Sequence, residues 1–263
     1  MTPPILAEYI SAATSPIRFY QFPNREVVPV HFVVTFATDK GDGNFEATFH
    51  EDFNERVLEY QKTYPDTKFI LSIGDSDGKY PFKGGPHWVD NATKGIERLI
   101  EEHNLSGIDI HYSKVADGGT DVFAGNLGDL IKNLKKNKGV DLVLISPTPT
   151  CDINYQQLYK SSQANIDYVN YRFYDLDKKP DNKYYFKNKI DEVVKIYANA
   201  KLLLGNKTYD ASKGKIEDKL FFDVFDEKKS EFRGISAWSA DESPDAFQFE
   251  KEAQDKLKLG VPI

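Results

Sequence analysis

The residues most able to do chemistry in this chain alternate along one short segment, 106–113, which reads Ser-Gly-Ile-Asp-Ile-His-Tyr-Ser. Asp109, His111 and Ser113 follow the two-residue period of a β-strand, so their side chains would share one face of it. A carboxylate, an imidazole and a hydroxyl are the components of a nucleophilic triad. On a single strand, however, they point in parallel and hardly converge to hydrogen-bonding distance. No metal site is expected either, because only Asp109 and His31 could join His111 and no ligand spacing is present.

The segment belongs to an alternation of short apolar runs and amphipathic stretches that continues along the whole chain. The predicted strands are 5–10, 30–37, 68–74, 107–112, 141–147, 167–174, 201–205 and 234–238. The predicted helices are 53–60, 89–103, 122–136, 155–162, 184–198, 216–225 and 246–257. Eight strands alternating with helices predict an α/β fold, a single (β/α)₈ TIM barrel over residues 1–263. The first helix is expected to be reduced or absent, because the segment between the first two strands is short and poor in helix signal.

The barrel fold gives the alternating segment a direction. Ile108, Ile110 and Tyr112 should face the surrounding helices, and the polar set should face the barrel interior. Ser113 would then lie nearest the carboxyl ends of the strands, where barrel enzymes keep their active sites.

In this context the segment 106–113 resembles the fourth barrel strand of family 18 glycoside hydrolases, the chitinases and their relatives. The pattern of that strand is Asp-Gly-x-Asp-x-Asp-x-Glu, and Gly107 and Asp109 match it. Three positions differ from the pattern. Ser106 and His111 stand where the pattern has Asp, and Ser113 stands where it has the proton-donating Glu.

Other predicted strand ends carry the same resemblance. The segment 171–175, Tyr-Arg-Phe-Tyr-Asp, is similar to the Val-Gln-Phe-Tyr-Asn of the plant enzymes. Tyr174 matches the tyrosine that helps to hold the N-acetyl group of the substrate, and Arg172 replaces the glutamine. Trp238 matches the tryptophan under the central sugar subsite, and Tyr9 stands where the family has an aromatic residue. The resemblance therefore implies sugar contacts at Tyr9, Tyr174, Trp238, Arg172 and Asp175.

A narrower similarity lies in segments 6–9, 20–23 and 108–112. These resemble the narbonin group of legume proteins, including the RuBisCO-associated protein, which have this fold and are not known as hydrolases. The resemblance implies a plant protein with a storage or accessory role. One Met and one Cys suit a sulfur-poor storage protein.

The substitutions remove the groups that family 18 catalysis uses. The acetamide of the substrate is the nucleophile in this family, so the protein supplies an acid and a carboxylate that orients the acetamide. A serine hydroxyl cannot protonate a glycosidic oxygen near neutral pH. The sequence therefore predicts a catalytically inactive chitinase-like protein, with no catalytic residue in the degenerate site. The alternatives are a lectin-like binder of chitin or N-acetylglucosamine oligosaccharides, an inhibitor or partner of another enzyme, or a hydrolase with a displaced acid. Candidates for such an acid are Asp75, Asp175 and Asp241.

Two structural expectations follow for the barrel interior. A lone buried carboxylate is costly, so Asp109 should pair with His111 or Arg172. Arg172 is longer than the glutamine it replaces, so it should fill the former central subsite.

Composition narrows the partners and the compartment. A net charge of −7 over 263 residues argues against nucleic acid and anionic membranes. The expected partner is an oligosaccharide or another protein, and no cofactor is expected. The single cysteine, Cys151, excludes an intrachain disulfide, and residues 1–4 show no signal-peptide pattern. These features predict a cytoplasmic protein, or a secreted or vacuolar one if the chain is a trimmed mature form.

Overall fold

Eight parallel strands form a closed barrel in the computed structural model, which describes residues 3–14, 18–74, 79–80, 86–115, 119–136, 139–209, 214–244 and 246–258. The strand next to β8 is β1, which also pairs with β2, so the sheet closes on itself. The predicted (β/α)₈ barrel is confirmed. The strands are β1 (Ile5–Ser11), β2 (Val30–Asp39), β3 (Phe69–Gly74), β4 (Gly107–His111), β5 (Leu142–Ile145), β6 (Tyr168–Tyr171), β7 (Leu202–Lys207) and β8 (Phe232–Trp238).

Helices follow the strands from β2 onward. Among the described residues between β1 and β2 the only helical segment is a 3₁₀ turn, Arg18–Tyr20, as the weak helix signal predicted. No helix in the described ranges combines the length and apolarity needed to cross a membrane. The helices are α1 (Phe53–Thr63), α2 (Pro86–Glu102), α3 (Thr120–Lys136), α4 (Asp152–Ser162), α5 (Lys183–Ile196), α6 (Asp218–Lys228) and α7 (Gln248–Lys258).

Each strand has an outer face towards the helices and an inner face towards the barrel interior, and β4 illustrates the difference between them. Ile108 and Ile110 are fully buried in the large apolar core between strands and helices, where each contributes about 1.5–3 kcal/mol. Asp109 and His111 point the other way, into the barrel, as the two-residue alternation predicted. The apolar residues that share this interior are few: Ile5, Ala7, Tyr9, Val33, Ile70, Leu144, Tyr168 and Leu203.

The sixth strand is shorter than the sequence predicts, and the difference positions Arg172. The predicted strand 167–174 ends at Tyr171 and is followed by a 3₁₀ turn, Phe173–Asp175. Pro147, two residues beyond the end of β5, has no amide hydrogen to donate to a longer β6. The Arg172 amide donates to the Pro147 carbonyl at 3.0 Å, and the Asp175 amide then donates to the Arg172 carbonyl at 3.0 Å.

Two glycines allow close approaches next to the interior polar residues. Gly74 ends β3 with φ +129°, and a Cβ there would lie 2.3 Å from the His111 carbonyl oxygen. In β7, a Cβ on Gly205 would lie 2.9 Å from the Tyr171 backbone carbonyl oxygen and 3.4 Å from the Tyr174 ring. Without a side chain at these positions, β3 lies close to the backbone of His111, and β7 lies close to the backbone of Tyr171 and the ring of Tyr174.

Candidate functional site

Asp109 lies at the centre of a polar cluster inside the barrel. It is fully buried, and its carboxylate accepts hydrogen bonds from Ser146 at 2.6 Å, Ser72 at 2.7 Å and the Tyr9 hydroxyl at 3.0 Å. Hydrogen bonds to a charged group stabilise by about 1.5–3 kcal/mol each, which offsets much of the cost of burying the carboxylate. Because the donors come from β1, β3 and just after β5, the carboxylate also connects separate strands across the barrel.

His111 lies between Asp109 and Arg172. Its Nδ1 is 3.5 Å from the Asp109 carboxylate, which is within ion-pair range but too long for a strong hydrogen bond. Its Nε2 lies 2.8 Å from Nη1 of Arg172. A guanidinium can only donate, so Nε2 must be the acceptor and the ring proton must lie on Nδ1. Burial lowers the pKa of His111, and the neighbouring Arg172 cation lowers it further.

The Arg172 guanidinium bonds to His111 and to the two residues after it, and no hydrogen bond joins it to the Asp109 carboxylate in the described structure. Its Nη1 also donates to the Ser113 hydroxyl at 3.1 Å, and its Nη2 donates to the Tyr112 carbonyl at 3.1 Å. Asp175 supplies a counter-charge 3.5 Å from Nη1. Of the two partners predicted for Asp109, His111 is the nearer, but the hydrogen bonds to the carboxylate come from Tyr9, Ser72 and Ser146.

Aromatic rings enclose this group on the β1 and β8 side. The Trp238 ring stacks on His111 with centroids 5.2 Å apart and a 29° angle, and it contacts Tyr9 at 4.9 Å. Phe36 of β2 packs edge-on against His111 at 5.3 Å. Trp238 itself is only partly buried and lies at the rim of the barrel.

The site is closed to solvent at its centre. Arg172 is 2% exposed, His111 1% and Tyr174 5%. The Tyr174 hydroxyl is buried without a hydrogen-bond partner among the described residues, and burial raises its pKa well above the ordinary value. Of the residues that the family resemblance assigns to the substrate, Tyr9, Arg172 and Tyr174 are therefore buried. Trp238 and Asp175 are partly exposed.

The remaining predicted residues lie apart from this group. Ser106 precedes β4 at the amino end of the barrel, where its amide donates to the Phe69 carbonyl at 2.8 Å, so it is not brought to the carboxyl end with Ser113. Asp241 follows β8 and accepts a hydrogen bond from the Ser11 amide at 2.7 Å. Asp75 lies outside the described residues.

Sequence reasoning missed the hydroxyl donors of the interior. Ser72 is the direct neighbour of Asp109 in the pairing of β3 with β4, and Ser146 follows β5. Asn170 of β6 donates to the Tyr9 hydroxyl at 2.9 Å and to Ser146 at 3.2 Å. The available signal was a polar residue at an inward position of an otherwise apolar strand.

Among the described residues, no group of three or more His, Cys, Asp or Glu side chains is arranged to hold a metal ion. At its centre the site holds Asp109, the neutral imidazole of His111 and the Arg172 cation in series.

The closed barrel, with its polar groups at the carboxyl ends of the strands and its aromatic rim, is the architecture of a glycoside hydrolase barrel. Comparison with known proteins agrees, since the sequence model of glycosyl hydrolases family 18 matches residues 26–220. A Chitinase 1 from Tulipa saxatilis subsp. bakeri is 30% identical over 275 residues, covering 96% of this chain and 87% of that protein. The chain belongs to family 18 of the glycosyl hydrolases.

Two further relatives define the neighbourhood of the chain within that family. The RuBisCO-associated protein of Glycine max is 30% identical over 126 residues, 44% of each chain, which agrees with the narrower similarity seen in the sequence. The crystal structure of a family 18 chitinase from Crocus vernus superposes with a TM-score of 0.89 at 26% identity, covering 97% of this chain and 99% of that one. Family membership fixes the fold but not the activity, which depends on the site.

We predict that Ser146→Ala destabilises the protein by about 1–3 kcal/mol, because the buried Asp109 carboxylate loses its shortest hydrogen bond. Urea unfolding at neutral pH measures the change. The exposed Ser230 provides the matched control, and Ser230→Ala should stay within about 0.5 kcal/mol of the parent protein. Equal stability of the two variants would contradict the role assigned to Ser146.

We also predict that the His111 ring is neutral at pH 6.5, with its proton on Nδ1. Arg172→Gln should raise the pKa of His111 towards its usual value, because it removes a neighbouring cation and leaves the burial. Nitrogen-15 NMR of the imidazole measures both the tautomer and the titration. Arg233→Gln, at an exposed arginine, is the control, and an Nε2–H tautomer in the parent protein would contradict the assignment.

Proposed function

We propose that this chain is a non-hydrolytic member of family 18 that serves as a storage or accessory protein. The observation that carries the proposal is the Arg172 guanidinium bonded to both Ser113 and His111. Those are the two positions at which the family resemblance places the acid and its coupled carboxylate.

Neither His111 of β4 nor Ser113 just after that strand is suited to protonate a leaving oxygen. Ser113 carries only a hydroxyl, and a general acid needs a pKa near the working pH. His111 cannot substitute, because its Nε2 accepts from Arg172 and burial favours the neutral ring. Loss of a general acid alone costs about 10²–10⁴-fold in rate.

Arg172 also explains why one replacement should not restore activity. A glutamate at position 113 would lie beside the guanidinium that now bonds the Ser113 hydroxyl at 3.1 Å. An adjacent cation lowers the pKa of a carboxyl group and keeps it ionised. Such a glutamate would form an ion pair and would not donate a proton.

The contacts of two of the three candidates, Asp175 and Asp241, disfavour a displaced acid. Asp175 lies 3.5 Å from Arg172 and accepts a hydrogen bond from Thr148 at 3.3 Å. Asp241 is held by the Ser11 amide at 2.7 Å. At least one oxygen of each of these two carboxyl groups is thus bonded within the protein.

The burial of the site disfavours a lectin-like role as well. A sugar in the central subsite would need the Tyr174 hydroxyl and the space that Arg172 occupies, and both are buried. The partly exposed Trp238 is the feature that favours sugar binding, but its ring lies on His111. The sequence similarity to the RuBisCO-associated protein of soybean supports a role without hydrolysis.

We predict that neither the parent protein nor Ser113→Glu cleaves chitin oligosaccharides above background. The triple variant Ser113→Glu, His111→Asp, Arg172→Gln should exceed Ser113→Glu by about 10²-fold or more, because it restores the acid and removes the cation that would hold it ionised. Chromatographic detection of shorter oligosaccharides measures cleavage. The double variant His111→Asp, Arg172→Gln, which still lacks the acid, is the matched control.

Cleavage by the parent protein would overturn the proposal, whereas activity in Ser113→Glu alone would contradict the role assigned to Arg172. In the first case, Asp175→Asn and Asp241→Asn would identify the displaced acid.

We predict that calorimetric titration of the parent protein with chitotetraose gives no binding heat, because Arg172 occupies the central subsite. Arg172→Gln should produce measurable binding, and Arg172→Gln combined with Trp238→Ala should abolish it. Binding by the parent protein that is lost in Trp238→Ala would favour the lectin-like alternative instead.

A further inference from the structure

A second polar cluster lies on the outer side of β1, away from the central site. Tyr9 points into the barrel, so the preceding residue, Glu8, points outward towards α7. Glu8 is fully buried, and neither of its carboxyl oxygens has a hydrogen-bond partner among the described residues. A charged carboxylate in such a position is far more costly than a neutral carboxylic acid.

Two more carboxyl groups, on different elements, lie near enough to oppose a negative charge on Glu8. Glu250 of α7 is fully buried, with one oxygen bonded to the Ser243 hydroxyl and the other without a partner in the described structure. Asp241, after β8, is partly buried and accepts from the Ser11 amide through one oxygen. Its other oxygen is buried and unpartnered among the described residues.

The cations around the cluster are few and are shared with other acceptors. Arg18 approaches from the 3₁₀ turn and donates to the carbonyls of Ala240 at 3.1 Å and Ser243 at 2.8 Å. Lys215, before α6, donates to the Thr208 carbonyl and pairs with Asp218 at 3.0 Å. The other acidic groups that act on the cluster are Asp218 and Glu242.

Protons, rather than a metal ion, are what this arrangement can bind. The carboxyl groups of the described residues form no set with metal-binding geometry. Burial raises the pKa of Glu8 well above its usual value, and repulsion from Glu250 and then Asp241 adds to the effect. Burial also raises the pKa of Glu250 and of Asp241.

We propose that Glu8, Glu250 and Asp241 form a proton-binding cluster that makes attachment of α7 to β1 depend on pH. In the folded protein Glu8 is the neutral member, and its ionisation opposes the packing of α7. The proposal rests on a different part of the barrel from the central site and does not depend on the proposed function.

The sign of the effect follows from the protons bound by each state. Glu8 in the unfolded chain ionises near its ordinary value of 4.5, whereas in the folded chain it does so at higher pH. Its contribution to stability is fully present below pH 4.5 and is lost as the pH rises through the folded-state value. While one extra proton is bound by the folded state, the folding equilibrium constant falls about tenfold per pH unit.

Urea unfolding of the parent protein, Glu8→Gln and Glu55→Gln between pH 5 and pH 8 tests the proposal. The folding equilibrium constant of the parent protein should fall as the pH rises. In Glu8→Gln, which cannot ionise at position 8, the fall of about tenfold per pH unit due to Glu8 should be missing. The exposed Glu55 is the matched control, and Glu55→Gln should follow the parent protein. Equal slopes in the parent protein and Glu8→Gln would overturn the proposal.

Infrared spectroscopy at neutral pH gives a second readout that is independent of unfolding. The parent protein should show the carbonyl stretch of a protonated, non-hydrogen-bonded carboxylic acid, and Glu8→Gln should lack it. If Glu8→Gln does not fold, the spectrum of the folded parent protein alone tests the proposal. Presence of the band supports it, and absence of the band overturns it because Glu8 is then ionised.

Discussion

The hydrogen bond between the Arg172 guanidinium and Nε2 of His111 determines the electrostatics of the barrel interior. Because arginine cannot accept, the bond requires an unprotonated Nε2 and places the ring proton on the side of Asp109. The imidazole is then a neutral spacer between a buried cation and a buried anion. Protonation of His111 would place two cations side by side without solvent, which a buried site does not support without a further counter-ion.

The central carboxylate has a structural role that is independent of catalysis. Asp109 accepts hydrogen bonds from Tyr9 on β1, Ser72 on β3 and Ser146 after β5. Removing any one donor leaves a buried charge with fewer partners, which is costlier than the loss of an exposed hydrogen bond. In a protein without hydrolytic activity, as we propose, this constraint alone would favour an aspartate at position 109.

The sequence was sufficient to predict the barrel and the inward face of β4, because both depend on short-range periodicity. Alternation along 107–112 assigned Asp109 and His111 to the interior without knowledge of any other strand. The donors Ser72 and Ser146 could not be assigned in the same way, since their contacts depend on the register between strands. The position of Arg172 depends on where β6 ends and on its backbone hydrogen bond to Pro147, which is distant in sequence. The Glu8 cluster joins residues that are more than 200 positions apart, and no local pattern predicts it.

Consecutive residues of β1 show two ways in which this barrel accommodates polar groups that its packing excludes from water. Tyr9 on the inner face donates a hydrogen bond to Asp109. The negative charge of Asp109 is compensated by hydroxyl donors and by the Arg172 cation on the far side of His111. Glu8 on the outer face is repelled by two other carboxyl groups, and neither of its oxygens has a hydrogen-bond partner by geometry among the described residues. A buried carboxyl group must be either hydrogen-bonded as an anion or neutralised by a proton. The inner face of β1 provides the first arrangement, and the proton-binding cluster that we propose on its outer face would provide the second. The two faces should therefore respond differently to pH even though a single peptide bond joins them.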